Sequence, residues 1–479
     1  MDSATVIKEV KKKQRLGLLG GGDVIFGSLL ALIGLAAVLL GSIEPRWEVV
    51  FESAIFLLGT CVFLTDSVGQ HWRVPFLLAP VAGLLLIACL QTLPLWSDIH
   101  PNIVPRSSQT ISVDPVETNQ FIIKFLAAAL ALALLLRYTT NRKRLLALAH
   151  LVMIVGVVSG GFGILRRLLP DLAPDPTGTT QLHGIGFGQF ASRNHFALLM
   201  EMSLGPTLSL AFYVRSRARR FLYCEICLLI CVSLVLTNSR GGITGMMGQF
   251  AFLSWLYFGA ALRGSLPRRF SSTGNSPFWR FWQLGRAFAI RCVLVLFLLG
   301  IVSAGVLLLG GESVRERLES VPAEFQARRD GLQQQNPRRL EIWIATLRMI
   351  EDYPLLGSGL GAYQTAATDY LRSEGNWQPQ QAHNEYLELM AGGGVAAAAM
   401  VAWFILILIR ESRKRLLDHD PLRRVLCGGA LIGLVGVGIH SLVDFGLHPM
   451  ANTIICCALI ALATTKVESA SIRSSSAVC

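Results

Sequence analysis

Charged residues are scarce in this sequence, and long apolar runs take their place. Only 15% of the 479 residues are Asp, Glu, Lys or Arg, whereas 52% are hydrophobic. Apolar runs of about 17 to 22 residues recur along the chain, and each could cross roughly 30 Å of hydrocarbon. The composition excludes an ordinary soluble domain and predicts an all-α polytopic membrane protein. We expect about twelve transmembrane helices, near residues 24–41, 49–65, 74–96, 119–136, 145–165, 191–213, 221–237, 242–262, 289–311, 393–409, 425–443 and 450–465.

The chain also lacks a disulfide framework and the common metal-binding motifs. All ten cysteines fall inside or beside apolar runs, or at the last residue. The histidines His383, His440 and His448 have neither H-E-x-x-H spacing nor a cysteine partner, and the outer loops contain no D-x-D pair. No G-x-S-x-G elbow is present. We therefore expect no metal, no cofactor and no serine nucleophile.

Acidic residues are outnumbered by basic ones, which gives a net charge of +12. Most of the excess lies in tracts between predicted spans, such as RYTTNRKR, RSRARR and RESRKRLLDHDPLRR. Under the positive-inside rule these tracts face the cytoplasm, and an even number of spans puts both termini there. They would also lie close to anionic membrane lipids. No basic tract is interleaved with aromatic residues, so nucleic acid is not an expected partner.

The predicted spans divide the chain into three parts. Residues 1–311 form an N-terminal transmembrane bundle of about nine spans, and residues 393–479 contain the last spans and a tail. Between them, residues 312–392 form a large outer loop with helical pattern and many charges. This loop is the expected functional domain.

Within the loop, residues 338–363 predict an amphipathic helix followed by a glycine-rich turn. Leu340, Trp343, Leu347 and Ile350 recur at helical spacing, and the pattern stops before Pro354. The G-S-G-L-G stretch that follows could cradle phosphate or simply end the helix. It is not the dinucleotide fingerprint and no strand precedes it, which favours the helix stop.

The cations of residues 312–392 are all arginines, with no lysine among them. Arginine grips phosphate through a planar fork, which suits a pyrophosphate. The arginines at 315, 317, 328 and 329 have acidic neighbours and are better explained by surface ion pairs. Arg338 and Arg339, beside an apolar helix face, are the stronger candidates for phosphate binding.

Four polar clusters fall at the same predicted membrane boundary: residues 192–195, 238–242, 382–388 and 440–448. Each alone could be structural, because Ser, Asn and Glu cap helices and Arg can extend to the membrane surface. Four such clusters on one side of the membrane instead indicate one site. Ionisable groups at a membrane boundary are costly unless they have partners or a function.

The stretches FASRNHFALLME, TNSRGG, RRLEIWIATLRMIEDYPLLGSGLGAY, AHNEYLELMAGGG and HSLVDFGLH occur in this order between residues 190 and 448. Together they resemble the successive signatures of the O-antigen ligase and polymerase superfamily of bacterial membrane glycosyltransferases. The resemblance implies a helical inner-membrane protein with a large periplasmic loop. It further implies transfer of a glycan from an undecaprenyl-pyrophosphate carrier to an acceptor hydroxyl, without metal or nucleotide.

Carried over by motif, the resemblance ties His383, Arg240 and Arg339 to catalysis and pyrophosphate binding. The chemistry of the residues agrees, because guanidinium groups stabilise a departing pyrophosphate and a histidine can remove the acceptor's proton. Arg193 is a third candidate cation, although the residue before it is Ser where many relatives have Asn or Thr. Further candidates for substrate binding are Asn194, His195, Arg338, Asn384, Tyr386, His440 and Asp444.

Alternative functions remain open. The superfamily contains ligases, which attach a glycan to a lipid core or another acceptor, and polymerases, which use the glycan itself as acceptor. A secondary transporter for a small anion would also fit about twelve spans, although transporters place ionisable residues well inside spans and the sequence suggests only Lys124 there. A scaffold without catalysis is the third possibility.

Overall fold

The computed structural model describes residues 21–39, 45–65, 76–94, 110–169, 187–262, 339–371 and 380–467. These residues are helical apart from turns and one isolated bridge between Phe187 and Phe190. A single 3₁₀ turn, Phe76–Leu78, leads into the third α-helix. The α-helices are α1 (Gly21–Leu39), α2 (Pro45–Thr65), α3 (Ala79–Thr92), α4 (Pro115–Tyr138), α5 (Arg142–Leu168), α6 (Arg193–Tyr213), α7 (Arg217–Leu236), α8 (Arg240–Leu262), α9 (Arg339–Asp352), α10 (Tyr363–Ala367), α11 (Glu385–Leu416), α12 (Pro421–His440) and α13 (Met450–Thr464).

The helices agree with the predicted multi-pass membrane architecture. By length and composition, seven of the described helices could cross a membrane, namely α1, α2, α4, α5, α6, α11 and α12. Two shorter apolar helices cover Phe76–Thr92 and Met450–Thr464. The predicted span at 289–311 lies outside the described residues, as does much of the 312–392 loop. The total of about twelve spans and the division into three parts therefore stay predictions.

Five of the described helices begin with a side chain that satisfies a free backbone N–H group. The side chains of Asp114, Asn141, Ser192, Asn384 and Asp420 each accept a backbone hydrogen bond at the start of α4, α5, α6, α11 and α12. Proline is the first residue of α4 and α12, where its missing N–H costs nothing. Local sequence thus fixes where these helices begin.

Helix α12 lies at the centre of the bundle and packs against α6, α8 and α13. Helix α6 is buried along almost its whole length. Its Gly205 touches α12 so closely that a Cβ atom there would come within 2.2 Å of the carbonyl oxygen of Gly429. Small residues at such crossings let membrane helices pack through their backbones.

At the far end of α12, Arg423 is fully buried and caps another helix. Its guanidinium donates hydrogen bonds to the carbonyl oxygens of Leu462, Ala463 and Thr465, at 2.8, 3.1 and 2.8 Å. These carbonyls belong to the end of α13, where they lack partners within the helix. Arg423 therefore joins the start of α12 to the end of α13.

The helix predicted to stop before Pro354 is present as α9, but its buried face differs from the predicted one. The side chains that pack inward are Ile342, Ala345, Thr346 and Met349. Leu340 and Leu347, which carried the predicted pattern, are 63% and 48% exposed. The helix is apolar on two faces, so spacing alone does not tell which face is buried.

Helix α11 is interrupted at Gly394, whose φ of 61° is outside the helical region. The backbone N–H groups of Val395 and Ala396 lose their partners within the helix and instead donate to Pro354 and Leu355, at 2.9 and 3.1 Å. The carbonyl oxygens of Ala391 and Gly392 accept from the N–H groups of Ser358 and Gly359, at 2.8 and 3.0 Å. The turn after α9 thus replaces the hydrogen bonds that the kink removes. We call residues 354–360 the clasp.

The glycines of G-S-G-L-G allow this close contact. Gly357 has φ +70°, and a Cβ atom there would lie 2.3 Å from the carbonyl carbon of Gly392. The Gln91 side chain, at the end of α3, closes the arrangement: it donates to Gly392 O at 2.8 Å and accepts from the N–H of Leu360 at 2.9 Å. The glycine turn is a docking element between the loop and the membrane helices.

We predict that Gly357→Ala destabilises the protein by about 3 kcal/mol, because it adds both a steric clash and an unfavourable backbone conformation. The comparison variant is Gly27→Ala on α1, where a Cβ atom meets nothing within 4 Å. Thermal unfolding of the purified proteins in detergent measures both. Equal unfolding temperatures for the two variants would contradict a close clasp.

Candidate active site

The four polar clusters meet at one end of the bundle. Clusters 192–195, 238–242 and 382–388 lie at the starts of α6, α8 and α11, and cluster 440–448 follows the end of α12. Direct contacts join them: His383 to Asp444, His195 to Phe445, and the start of α8 to His440. Segments far apart in sequence therefore form one surface.

His383 and Asp444 form a hydrogen-bonded pair, with 3.1 Å between the histidine Nδ1 and the aspartate Oδ1. The His383 side chain is 34% exposed and the Asp444 side chain only 2%. Burial opposes ionisation of Asp444, but the His383 hydrogen bond and the nearby His195 and His440 lower the pKa of its carboxyl below the ordinary value. Asp444 is thus an ionised partner for an accessible imidazole.

The backbone holds His383 in an uncommon conformation, with φ 52°. Both neighbours are fixed. On one side the Ala382 carbonyl oxygen accepts from Trp343 Nε1 at 3.0 Å, and the Ala382 N–H donates to Glu388 at 2.9 Å. On the other side Asn384 caps α11. A left-handed non-glycine residue persists only where its surroundings enforce it, which is typical of functional sites.

Three imidazole rings surround the ring of Phe445. The rings of His195, His383 and His448 lie edge-to-face with it, at centroid distances of 4.9, 5.0 and 5.4 Å. His195 is buried, and neither of its ring nitrogens has a partner among the described residues. Phe445 therefore sets the spacing of the histidines.

Two carboxylates at the start of α11 fasten the loops together. Glu385 accepts from the backbone N–H of Leu447 at 3.0 Å, and Glu388 accepts from that of Ala382. The His448 Nε2 lies 3.3 Å from Glu388 and 3.7 Å from Glu385. These acids position the backbone on both sides of the His383–Asp444 pair.

The N-S-R-G-G stretch builds the start of α8. Asn238 takes a left-handed conformation, with φ 53°, which Asn tolerates better than most residues. Ser239 then caps the helix by accepting from the N–H of Gly242 at 3.1 Å. Arg240 is the first helical residue and is exposed. The turn thus presents its guanidinium at the surface where the clusters meet.

Beneath this surface, His440 forms a second, fully buried pair with Glu201 of α6. The His440 Nδ1 lies 2.6 Å from Glu201 Oε1, and the side chains are 1% and 0% exposed. Two glycines of α8 allow the helices to pack closely around this pair. A Cβ atom on Gly245 would come within 2.4 Å of Glu201, and one on Gly241 within 3.0 Å of His440. An ionisable pair inside membrane helices is costly and is retained for a function or a specific structure.

The remaining residues predicted for the site lie in different parts of the structure. Arg339, the first residue of α9, is exposed and close enough to His440 for their charges to interact. Arg193 and Asn194 are half-buried at the start of α6. The Tyr386 hydroxyl donates to Gly438 O at 2.8 Å, on α12. Arg338 lies outside the described residues.

His440 and Asp444, both candidates for substrate binding, have different surroundings at the end of α12. Helix α12 ends at His440, so Asp444 lies in the turn beyond it. His440 points into the bundle and Asp444 towards His383. The two remain linked, because the Asp444 N–H donates to the His440 carbonyl oxygen at 3.1 Å.

The sequence analysis missed Glu201 and Phe445 as parts of the site. Glu201 is a charge well inside a predicted span, where only Lys124 had been expected. Lys124 itself donates to both carboxylate oxygens of Glu48, at 2.9 Å. The available signals were the lone carboxylate within the apolar α6 segment and the Phe that follows Asp444. Within the described residues, no three His, Cys, Asp or Glu side chains are grouped so as to hold a metal ion.

We predict that Glu201→Ala lowers the free energy of unfolding by about 3 kcal/mol, because it leaves His440 buried without its partner. Glu201→Gln, which keeps a hydrogen-bonding side chain, should lose less. Glu225→Ala on the exposed face of α7 is the control and should change little. Thermal unfolding in detergent ranks the variants, and an unchanged Glu201→Ala protein would rule out a stabilising pair.

The chain was compared with known proteins and protein families. No curated protein was found to match the chain. Residues 226–402 match the family described as O-antigen ligase. The matched segment contains Arg240, Arg339 and His383 together with the clasp, and it ends within α11. The matched segment, which is less than half of the chain, is similar to the O-antigen ligase family, in agreement with the resemblance seen in the sequence motifs.

Proposed function

We propose that this protein is an O-antigen ligase-like glycosyltransferase. It moves a glycan from an undecaprenyl-pyrophosphate carrier to an acceptor hydroxyl, on the outer side of a bacterial inner membrane. The observation that carries the proposal is the His383–Asp444 pair, which lies where the four polar clusters meet and whose His383 belongs to the segment matched to the family. Family members are membrane glycosyltransferase-like enzymes.

In the proposed reaction His383 is the general base. Its Nδ1 donates to the Asp444 carboxylate, which fixes the tautomer and leaves Nε2 to accept a proton. The acceptor oxygen attacks the anomeric carbon of the donor sugar while its proton passes to Nε2. Asp444 stabilises the imidazolium that forms, as the carboxylate of a catalytic triad does. A single displacement of this kind inverts the anomeric configuration.

Arg240 and Arg339 are proposed to hold the leaving group. As the bond between the anomeric carbon and the phosphate oxygen breaks, the electron pair leaves with the pyrophosphate and its charge increases. Guanidinium groups placed where this charge develops lower the barrier most in a water-poor site. Arg193 is a third candidate. The pyrophosphate is held by side chains alone, and no metal is assigned to this step.

The buried layer below is proposed to position these groups. Glu201 holds His440, the His440 carbonyl oxygen receives the Asp444 N–H, and Asp444 orients His383. Phe445 separates the imidazole rings. The lipid tail of the donor would run between the helices, since the site lies at the ends of apolar spans. This explains why a sugar-transfer site is built at a membrane boundary.

The decisive experiment supplies the purified protein in nanodiscs with a lipid-pyrophosphate-linked repeat unit, without metal and without added acceptor. Product length on a gel then separates the two family activities. A ladder of products identifies a polymerase, the alternative function. Reaction only after addition of a lipid core or another acceptor identifies a ligase. Silence with every acceptor would contradict glycan transfer and favour the transporter.

In the same assay, we predict that His383→Ala reduces kcat by about 10²- to 10⁴-fold, the contribution of a general base. Asp444→Asn should reduce kcat in the same direction, with donor KM changing less. The control is His419→Ala, an exposed histidine at the other end of the bundle. Full activity in a folded, membrane-inserted His383→Ala protein would remove the assignment.

Arg240→Lys keeps the charge but loses the planar fork. We predict a fall of about 10- to 100-fold in kcat/KM for the donor, the value of a charge-assisted contact to the leaving group. The matched control is Arg217→Lys, which changes the exposed first residue of α7 at the opposite end. Turnover equal to that of the wild-type protein would show that charge alone suffices at residue 240.

A further inference from the structure

A second group of arginines surrounds a cavity at the opposite end of the helices from His383. The cavity has a volume of about 430 Å³. Its lining combines three cationic side chains with the residues at the ends of two helices: Arg142, Arg215, Arg219, Tyr213, Val214 and Pro421. None of these residues has a part in the proposed transfer reaction.

The cavity lies at the boundary of three candidate membrane spans. Arg142 is the first residue of α5, Tyr213 is the last residue of α6, and Pro421 is the first residue of α12. The short connection from α6 to α7 contributes Val214 and Arg215. The cavity is therefore at the depth of the lipid head groups rather than in the hydrocarbon.

The positive charge of the cavity is only partly balanced. Arg142 donates to the Tyr213 hydroxyl and lies 3.6 Å from the Asp420 carboxylate. Within the described part of the chain, no ion pair joins Arg215 or Arg219 to a carboxylate. Two guanidinium groups thus border the cavity without a counter-charge from the residues that the structure describes. Such a cavity suits an anion.

Apolar side chains close in sequence to the cavity residues indicate that the anion also has an apolar part. Phe212, Phe221 and Leu222 directly adjoin lining residues or follow them closely in sequence, and they are 62%, 67% and 55% exposed. Phe212 lies on the candidate membrane span α6, where an exposed phenylalanine faces lipid acyl chains. A ligand with a phosphate at the arginines and acyl chains along this surface would use both features.

We propose that the cavity binds the phosphate group of an anionic phospholipid from the surrounding bilayer. Arginine forks grip phosphate oxygens in pairs, and Tyr213 belongs to the aromatic residues that favour the membrane interface. The bound lipid would hold together α5, α6 and α12, the last of which leads to His440 at the other end. The inference is independent of the glycan-transfer reaction.

The test titrates the purified full-length protein in neutral detergent with phosphatidylglycerol and follows its thermal unfolding temperature. We expect saturable stabilisation, and an apparent dissociation constant about five-fold higher in Arg215→Gln and in Arg219→Gln. Arg217→Gln is the matched control, because it removes an exposed arginine of the same segment that does not line the cavity. It should bind as the wild-type protein does.

Two further ligands distinguish the sources of the phosphate. Phosphatidylcholine, which carries no net charge, should bind at least several-fold more weakly, and inorganic phosphate should not reproduce the stabilisation. If phosphate alone gives the full effect, the site holds a small anion and the lipid assignment is wrong. Equal weakening in Arg217→Gln would show general attraction to a basic surface and would overturn the cavity as a site.

Discussion

The exchange of backbone hydrogen bonds between the clasp and the kink of α11 is the constraint on which the candidate site depends. A helix interrupted inside a membrane protein must find new partners for its freed N–H and C=O groups, because unsatisfied groups are costly away from water. The clasp supplies two acceptors and two donors. Since the clasp directly follows α9, this exchange also fixes α9, whose Trp343 holds the backbone next to His383. The need to pair the backbone groups at the α11 kink thereby helps to position the His383 side chain.

Glycines also make room for the buried pair of ionisable side chains in the candidate site. Gly241, Gly245 and Gly436 surround the Glu201–His440 pair so closely that a methyl group at any of them would collide with a polar side chain. In a bilayer, small residues usually serve helix packing alone. In this protein close packing also keeps the carboxylate and the imidazole at 2.6 Å. Packing and electrostatics are therefore not separable at the end of α12.

Hydropathy predicted eleven helices that the structure describes, because the bilayer imposes both length and apolar composition on a span. The sequence also predicted that the clusters containing Arg240, His383 and Asp444 share one end. It could not predict the partners, since the contacts of Glu201 with His440 and of Phe445 with three histidines join residues up to 250 positions apart. Nor could it choose the buried face of α9, whose two apolar stripes have the same spacing. The roles of His383, Arg240 and Arg339 stay predictions until activity is measured.

The buried Arg423 has a mechanical consequence. Helices α12 and α13 form an antiparallel hairpin whose connecting turn, residues 441–449, contains Asp444, Phe445 and His448. The guanidinium locks the open ends of this hairpin by gripping three carbonyl oxygens of α13. The two arms therefore cannot slide past each other or splay at that end. Relative movement of α12 and α13 would therefore occur mainly at the connecting turn, which carries Asp444, Phe445 and His448.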